Sequence, residues 1–267
     1  MLEHIDFSQY KNIVIKVGSA LIAPDGRSCS SEYCLPIAHF IRKCHKAGKN
    51  VTLVSSGAVA AGFNLVKPDN DVLTRKEKQP LAAIGQSMVV RHWQRFFDDV
   101  VAQVLLTSAD IKNPERSENA RNTFQTLFEL GAMPIVNEND TVATEELTIG
   151  DNDNLVAQVA ALTDADLLII CSDINGVYDD NPKVNPEAEL VTQFKGVNDE
   201  TMAVGKDTNN PRGTGGMQTK LQAARFASEN GIDTIICNGK NESYMRLFSN
   251  QNPGTLIHRT CKEVSVA

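Results

Sequence analysis

The sequence predicts an α/β fold, a three-layer αβα sandwich with a mostly parallel central sheet. Short apolar runs rich in Val, Ile and Leu alternate with longer amphipathic stretches along the 267 residues, which is the rhythm of strands connected by helices. The short runs lack strict alternation of apolar and polar residues, as is typical of strands that helices cover on both faces. With 42% hydrophobic and 22% charged residues, the chain can bury one large core.

In chain order, six short runs rich in Val, Ile and Leu are predicted to be strands: Asn12–Val17, Val51–Val54, Gln103–Leu106, Met133–Val136, Asp166–Cys171 and Thr234–Cys237. Five longer amphipathic stretches are predicted to be helices: Glu32–Ala47, Gln79–Val101, Glu115–Leu130, Asn154–Leu162 and Met217–Asn230. The last of these has Met217, Leu221 and Ala224 on one face, and Gly231 provides a natural stop. A final strand-like run lies at Thr255–His258.

Two stretches interrupt this rhythm. Lys67–Lys78 is polar and charged, which predicts a surface loop or an excursion that faces a partner. Asp179–Gly216 contains three prolines and several glycines, which predicts a long irregular segment. Loops of that length in compact domains are usually functional or disordered.

The charge balance and the cysteines argue against several classes of protein. The chain has 26 Lys and Arg against 33 Asp and Glu, a net charge of −7, whereas domains that bind nucleic acid usually present a basic face. The sequence has no run of 18 apolar residues that could span a membrane, and its first twelve residues, MLEHIDFSQYKN, lack the apolar centre of a signal peptide. The six cysteines have no CxxC spacing, so we expect no zinc site and a reducing, cytoplasmic location.

Glycines and a lysine follow the first two predicted strands. The first strand runs into Lys16-Val17-Gly18-Ser19, and the second into Ser55-Ser56-Gly57-Ala58. In parallel sheets ligands bind beyond the carboxyl ends of strands, where small residues let an anion approach the backbone. Burial alone would favour an apolar residue in place of Lys16, so its ammonium is a candidate to neutralise a phosphoryl group. Tight strand-to-helix turns and a lysine that extends to solvent are the structural alternatives.

Two segments rich in carboxylates and amides also lie beside apolar runs. Asn137-Glu138-Asn139-Asp140 follows the strand Met133–Val136, and Gly150-Asp151-Asn152-Asp153-Asn154 precedes a helix. An Asx turn would explain the first segment, and N-capping would explain the second. Capping needs one such residue, whereas Asp151–Asn154 supplies four, an excess that suits recognition of an α-amino group or orientation of a lysine.

The segment Gly213-Thr214-Gly215-Gly216-Met217-Gln218-Thr219-Lys220 places glycines before a helix, with a lysine one turn inside it. Backbone N–H groups, the positive helix end and an ammonium would then surround one anion. A simple glycine hinge is the alternative. The sequence contains neither GxxxxGK[ST] nor GxGxxG, so the P-loop and dinucleotide-binding classes lack their signatures.

None of the five histidines lies in these segments. A kinase that acts on a hydroxyl generally needs a general base beside it. A carboxylate with a pKa of about 4 is already ionised at pH 7, so lysines without an obvious base are compatible with a carboxylate acceptor. Asp140 or Asp153 could still serve as the base for another acceptor.

Between residues 12 and 258 these segments together resemble the amino-acid-kinase superfamily, and within it the family of glutamate 5-kinases. The resemblance rests on Ile15–Leu21, SSGAVAAG at Ser55–Gly62, LAAIGQ at Leu81–Gln86, NENDTVAT at Asn137–Thr144, GDNDNL at Gly150–Leu155 and GTGGMQTK at Gly213–Lys220. Kinases of carbamate, acetylglutamate, aspartate and UMP share the lysine and the glycine loops, whereas the pair NENDTVA and GDNDNL singles out the glutamate family.

The resemblance implies transfer of the γ-phosphoryl group of ATP to the γ-carboxylate of L-glutamate, the first step of proline biosynthesis. It implies catalytic roles for Lys16, Lys220 and Asp153, and a glutamate site at Ser56, Gly57, Asp140 and Asn152. It implies ATP contacts from Lys16, Ser172, Asp173, Thr214, Gly215, Gly216, Met217, Gln218, Thr219 and Lys220. Mg²⁺ is expected to bridge the phosphates of ATP, with no protein ligand assigned to it. The family usually has Thr-Asp at Ser172-Asp173, and both versions keep a hydroxyl.

The resemblance also implies one amino-acid-kinase domain over residues 1–267, with a glutamate-binding lobe at about 1–163 and an ATP-binding lobe at about 164–260. The C-terminal PUA domain of many relatives is not expected. Relatives form homo-oligomers, which implies a dimer or tetramer, and are inhibited by proline. Two alternatives stay open: a kinase of another carboxylate or phosphate acceptor, and a non-catalytic amino-acid sensor. The two lysines argue against a sensor, which has no use for groups that stabilise a phosphoryl.

Overall fold

The computed structural model describes residues 4–68, 73–143, 152–182, 184–204 and 216–260. The strands in these ranges are β1 Asn12–Val17, β2 Asn50–Ser55, β3 Val101–Leu106, β4 Met133–Glu138, β5 Leu167–Ser172, β6 Val177–Tyr178, β7 Leu190–Val191, β8 Gln193–Phe194, β9 Asp233–Asn238 and β10 Thr255–Ile257. The α-helices are α1 Ser19–Ile22, α2 Ser31–Lys46, α3 Ala58–Val66, α4 Arg75–Gln94, α5 Ser108–Lys112, α6 Pro114–Glu129, α7 Asn152–Leu162, α8 Asp199–Val204 and α9 Met217–Glu229. None of the described helices combines the length and hydropathy needed to span a bilayer.

Eight strands form one sheet in the order β3-β4-β2-β1-β5-β9-β10-β8. β1 pairs in parallel with β2 and β5, and the parallel pairing continues through β4 and β3 on one side and β9 on the other. β10 runs antiparallel to β9 and parallel to β8, while β6 and β7 form a separate small ribbon. The predicted mostly parallel sheet is confirmed.

Helices cover both faces of the sheet, and alternate residues of β1 point to opposite faces. Ile13, Ile15 and Val17 are buried in a cluster that includes residues of α2, α3 and α4. Val14 is buried in a second cluster, with residues of α7 and α9. Since side chains alternate along a strand, Lys16 lies on the same side as Val14, facing α7 and α9. This confirms the three-layer architecture and fixes the direction of the lysine.

Helices α3 and α4 pack with their backbones in direct contact. A Cβ on Gly85 would lie 1.9 Å from the carbonyl oxygen of Ala58, and a Cβ on Gly62 would lie 2.0 Å from that of Leu81. No side chain fits at either position, so glycine is required by this close approach. Further along α4, the indole Nε1 of Trp93 donates a buried hydrogen bond of 2.7 Å to Ser55 Oγ at the end of β2.

Three element predictions were wrong. The predicted helix Gln79–Val101 begins earlier, at Arg75, and ends at Gln94, and Val101 is the first residue of β3. The predicted loop Lys67–Lys78 therefore ends inside α4, where Thr74 and Glu77 form a capping box. The third wrong prediction is the irregular segment Asp179–Gly216, because its described part contains β7, β8 and α8. Helix α3 was not predicted, and β3 is only partly buried because it lies at the edge of the sheet.

Candidate active site

The predicted site residues that the structure describes lie at the carboxyl ends of the parallel strands β1, β2, β4 and β5, or on helices that begin beside them. Lys16 is the fifth residue of β1, Ser56 follows β2, Asp140 follows β4, and Ser172 ends β5. Helix α7 begins beside them with Asn152 and Asp153, and both side chains are buried.

Two lysines from distant parts of the sequence converge on one carboxylate. Lys16 Nζ lies 2.7 Å from Asp153 Oδ1, and Lys220 Nζ lies 3.3 Å from Asp153 Oδ2. The side chains are 8%, 6% and 1% exposed for Lys16, Lys220 and Asp153. β1, α7 and α9 each supply one member of this triad, which we call the Lys–Asp–Lys cluster.

Electrostatics keep Asp153 ionised. Burial alone would raise the pKa of the Asp153 carboxyl, but the two neighbouring ammonium groups and the Thr219 hydroxyl outweigh burial and hold that pKa well below its ordinary range. Burial lowers the pKa of Lys220, an effect that Asp153 opposes. By formal charge the cluster combines two lysines with one carboxylate, which leaves a net positive charge beside the ends of the strands.

Thr219 fixes the second oxygen of Asp153. Its hydroxyl donates to Asp153 Oδ2 at 2.7 Å and lies 2.9 Å from the carbonyl oxygen of Gly216. The threonine thus joins the first turn of α9 to the cluster, a contact that the sequence did not indicate although Thr219 was predicted to contact ATP.

The start of α9 is suited to an anion. Gly216 is the N-cap, no side chain caps the free N–H groups, and a Cβ on this glycine would meet no atom within 4 Å. Met217 is buried and Gln218 is exposed. Thr214 and Gly215, two predicted ATP contacts, lie outside the described residues. Ser172 Oγ donates to Asp173 Oδ1 at 3.3 Å, at the end of β5 next to β9.

A chain of side-chain hydrogen bonds links the predicted amino-acid site to α4. Asn152 Nδ2 donates to Ser56 Oγ and to Asn137 Oδ1, both at 2.9 Å, and Asn137 Nδ2 donates to Gln86 Oε1 at 2.7 Å. Gly57 follows Ser56 with φ at 104°, and a Cβ there would lie 2.5 Å from Ile22 Cγ2. Asn137 and Gln86 were named in sequence motifs but were given no role, and only the fold reveals one.

Asp140 is a buried carboxyl that has no counterion in the part of the chain that the structure describes. It is 8% exposed and makes no ion pair with any residue in the described ranges. Burial raises its pKa from 3.8 to about 6. The backbone carbonyl of Asp140 accepts a hydrogen bond of 2.9 Å from Gln79 Nε2, which holds the turn after β4 against α4.

Comparison with known proteins identifies the family of this chain. The amino acid kinase family matches residues 11–238, and the chain belongs to that family. Within it, the chain is 48% identical over 249 residues to glutamate 5-kinase 1 of Pseudoalteromonas translucida (strain TAC 125) and 44% identical over 260 residues to glutamate 5-kinase of Idiomarina loihiensis (strain ATCC BAA-735 / DSM 15497 / L2-TR). These alignments cover 93% and 96% of this chain and 67% and 69% of the relatives. Its place is thus among the glutamate 5-kinases.

A solved structure confirms the fold independently. Carbamate kinase from Giardia lamblia, determined with bound AMP-PNP, superimposes with a TM-score of 0.65 at 18% identity. The match covers 95% of this chain and all of the other. The family and the fold implied by the sequence motifs are both confirmed.

Proposed function

We propose that this protein transfers the γ-phosphoryl group of ATP to the side-chain carboxylate of L-glutamate, forming L-glutamyl 5-phosphate for proline biosynthesis. Relatives named glutamate 5-kinase at 44–48% identity over most of the chain support this substrate and reaction. The observation that carries the mechanism is the Lys–Asp–Lys cluster, in which Lys16 and Lys220 meet at Asp153.

The two ammonium groups act on the transferring phosphoryl group. Charge on its equatorial oxygens in the transition state is stabilised by preorganised cations, which here come from Lys16 and Lys220. Asp153 holds both lysines in place, and Thr219 orients Asp153. The attacking γ-carboxylate, with an ordinary pKa of about 4.3, is ionised at neutral pH, so no general base is required.

Asp140, Asn152 and Ser56 form the proposed amino-acid site. The Asp140 carboxylate would pair with the α-ammonium of glutamate, which supplies the counterion that the buried group lacks in the described structure. Asn152 is the first residue of α7 and immediately precedes Asp153. Substrate recognition and phosphoryl stabilisation therefore depend on consecutive residues of one helix.

The described residues contain no group of three or more His, Cys, Asp or Glu side chains that could hold a metal. The cluster is cationic, and its one carboxylate is engaged by lysines, so these residues do not fit a protein-built metal site. We propose that Mg²⁺ enters as the complex with ATP, held by phosphate oxygens and water, where it neutralises phosphate charge.

Further features of the family are proposals for this chain. They are a glutamate-binding lobe at about residues 1–163 and an ATP-binding lobe at about 164–260, a homo-oligomer, inhibition by proline, and a cytoplasmic location. Proline carries an ammonium and a carboxylate like those of glutamate, so we expect it to compete near Asp140.

The experiment that tests the function is trapping of the acyl phosphate product with hydroxylamine. Purified protein with ATP and Mg²⁺ is incubated with glutamate, aspartate, acetylglutamate or proline, and UMP is assayed through ADP release. We expect hydroxamate with glutamate alone. Turnover of UMP, or faster hydroxamate formation with another acid, would reassign the acceptor. Absence of turnover with every acceptor would favour the alternative of a non-catalytic amino-acid sensor.

A further inference from the structure

Three buried amides form a chain with a fixed direction. Gln86 of α4, Asn137 of β4 and Asn152 of α7 are 7%, 3% and 3% exposed. Asn137 donates to Gln86, and Asn152 donates to Asn137 and to Ser56, over distances of 2.7–2.9 Å. We call these three residues the amide relay.

The direction of the relay follows from the chemistry of amides. Each amide has a donor end and an acceptor end, so the orientation of one dictates that of the next. Gln86 offers its oxygen to Asn137. Asn137 must therefore turn its nitrogen toward Gln86 and its oxygen toward Asn152. Asn152 then uses both N–H groups inside the protein, on Asn137 and Ser56.

Two polar atoms at the ends of the relay have no hydrogen-bond partner in the described part of the chain. They are Asn152 Oδ1 and Gln86 Nε2, both buried. A buried acceptor without a donor is unfavourable, and a ligand that donates a hydrogen bond would remove that cost. The free oxygen belongs to the residue that lies between Ser56 and the Lys–Asp–Lys cluster.

We infer that Gln86 is a positioning residue for the amino-acid substrate: it locks the amide of Asn152 with Oδ1 available to the substrate ammonium. This inference rests on the proposed function, because it takes the ligand of Asn152 to be an amino acid. Gln86 acts through Asn137 and Asn152, and its own contribution is the acceptor oxygen that sets the orientation of the relay.

Loss of that oxygen should reverse the relay. In Gln86→Met the nitrogen of Asn137 would be buried without an acceptor, whereas the flipped relay leaves a carbonyl oxygen unpaired, which is less costly than an unpaired N–H. Asn152 would then direct an N–H group at the substrate ammonium. We expect KM for glutamate to rise about tenfold through loss of one charge-assisted hydrogen bond, with kcat within about threefold of wild type.

The conservative variant Gln86→Glu separates positioning from direct contact. Its carboxyl keeps an acceptor for Asn137, so we expect KM within about twofold of wild type. If Gln86 Nε2 instead bound a substrate carboxylate, Gln86→Glu would place like charges together and be worse than Gln86→Met. Gln158→Met is the matched control: it makes the same substitution on α7, at a residue with no hydrogen bond to the relay, and we expect an unchanged KM.

A second readout does not depend on the substrate. The side-chain N–H signals of Asn152 in ¹⁵N spectra should exchange slowly in wild type and Gln86→Glu, and faster in Gln86→Met. If the wild-type protein fails to phosphorylate glutamate, the proposed function is refuted. The exchange rates would still test whether Gln86 sets the orientation of the relay. An unchanged KM and unchanged exchange in Gln86→Met, or a KM in Gln86→Glu as high as in Gln86→Met, would overturn the inference.

Discussion

Glutamate binding should weaken as the pH falls from 7 to 5, because Asp140 becomes protonated. This buried carboxyl makes no ion pair among the described residues, and burial raises its pKa to about 6. Only the ionised form can pair with the α-ammonium of glutamate. A carboxyl with that pKa is about 90% ionised at pH 7 and about 10% ionised at pH 5. The dissociation constant should therefore rise about tenfold over this range, whereas an ordinary aspartate would remain more than about 90% ionised at pH 5.

The stability of the free protein should move in the opposite direction. Because the pKa of Asp140 is higher in the folded state than in the unfolded chain, folding favours the protonated carboxyl. The associated stability is present below about pH 4 and is lost as the pH rises through about 6. A rise from 3.8 to about 6 corresponds to a contribution of about 3 kcal/mol from this one group. Acid should thus weaken substrate binding while it removes a local cost to folding.

Isothermal titration calorimetry with L-glutamate in the absence of ATP, between pH 5 and 7, measures this dependence directly. The γ-carboxyl of glutamate has an ordinary pKa of about 4.3 and changes little in that range. Asp140→Asn is the control, for which we expect weak binding that hardly varies with pH. A wild-type dissociation constant that is flat within about twofold, or an equal slope in Asp140→Asn, would refute the assignment.

Three further predictions concern the cluster and the helix pair. Lys220→Ala should lower kcat by about 10²–10³ with the fold retained by circular dichroism, since one preorganised cation is lost; near-normal turnover would remove Lys220 from the mechanism. Asp153→Asn should lower the free energy of unfolding by about 3–5 kcal/mol in urea, because Lys16 and Lys220 both lose the buried carboxylate that they contact. An unchanged denaturation midpoint would contradict this. Gly85→Ala should cost about 3 kcal/mol or more, since its Cβ would lie 1.9 Å from the Ala58 oxygen. An unaltered melting temperature would show that α3 and α4 can separate at little cost.

Local sequence rules located the strands and the reacting groups. β1 was predicted at its observed bounds, Asn12–Val17, because apolar strands are bounded sharply by turn residues. Two local rules made Lys16 and Lys220 separate candidates for anion binding, namely that ligands bind at the ends of parallel strands and that glycines precede a helix that binds an anion. Their joint action on one phosphoryl group was implied only by the family resemblance. The role of Asp153 in positioning both lysines was likewise implied by the resemblance.

Features that depend on tertiary contacts were not predictable. The segment from Arg95 to Val100 contains no glycine or proline to mark the end of α4, and the predicted helix ran too far. Helix α3 has an almost entirely apolar and small-residue sequence, and its exposed side includes Leu65 and Val66, so no alternation of apolar and polar faces indicates a helix. The role of Gln86 depends on Asn137, 51 residues away, and no periodicity reports such a contact.

The direct succession of Asn152 and Asp153 has a consequence for substrate length. One peptide unit joins Asn152, the residue proposed to bind the amino acid, to Asp153, whose carboxylate contacts the two lysines. The distance between the two proposed functions is therefore set by the first turn of α7. This fixed spacing would select substrates by the length of their side chain. An amino acid shorter by one methylene, bound by the same ammonium contacts, would hold its carboxylate back from the phosphorus, and a misplacement of about 1 Å can cost about 10²-fold in rate. We expect aspartate to be rejected by reach rather than by weak binding.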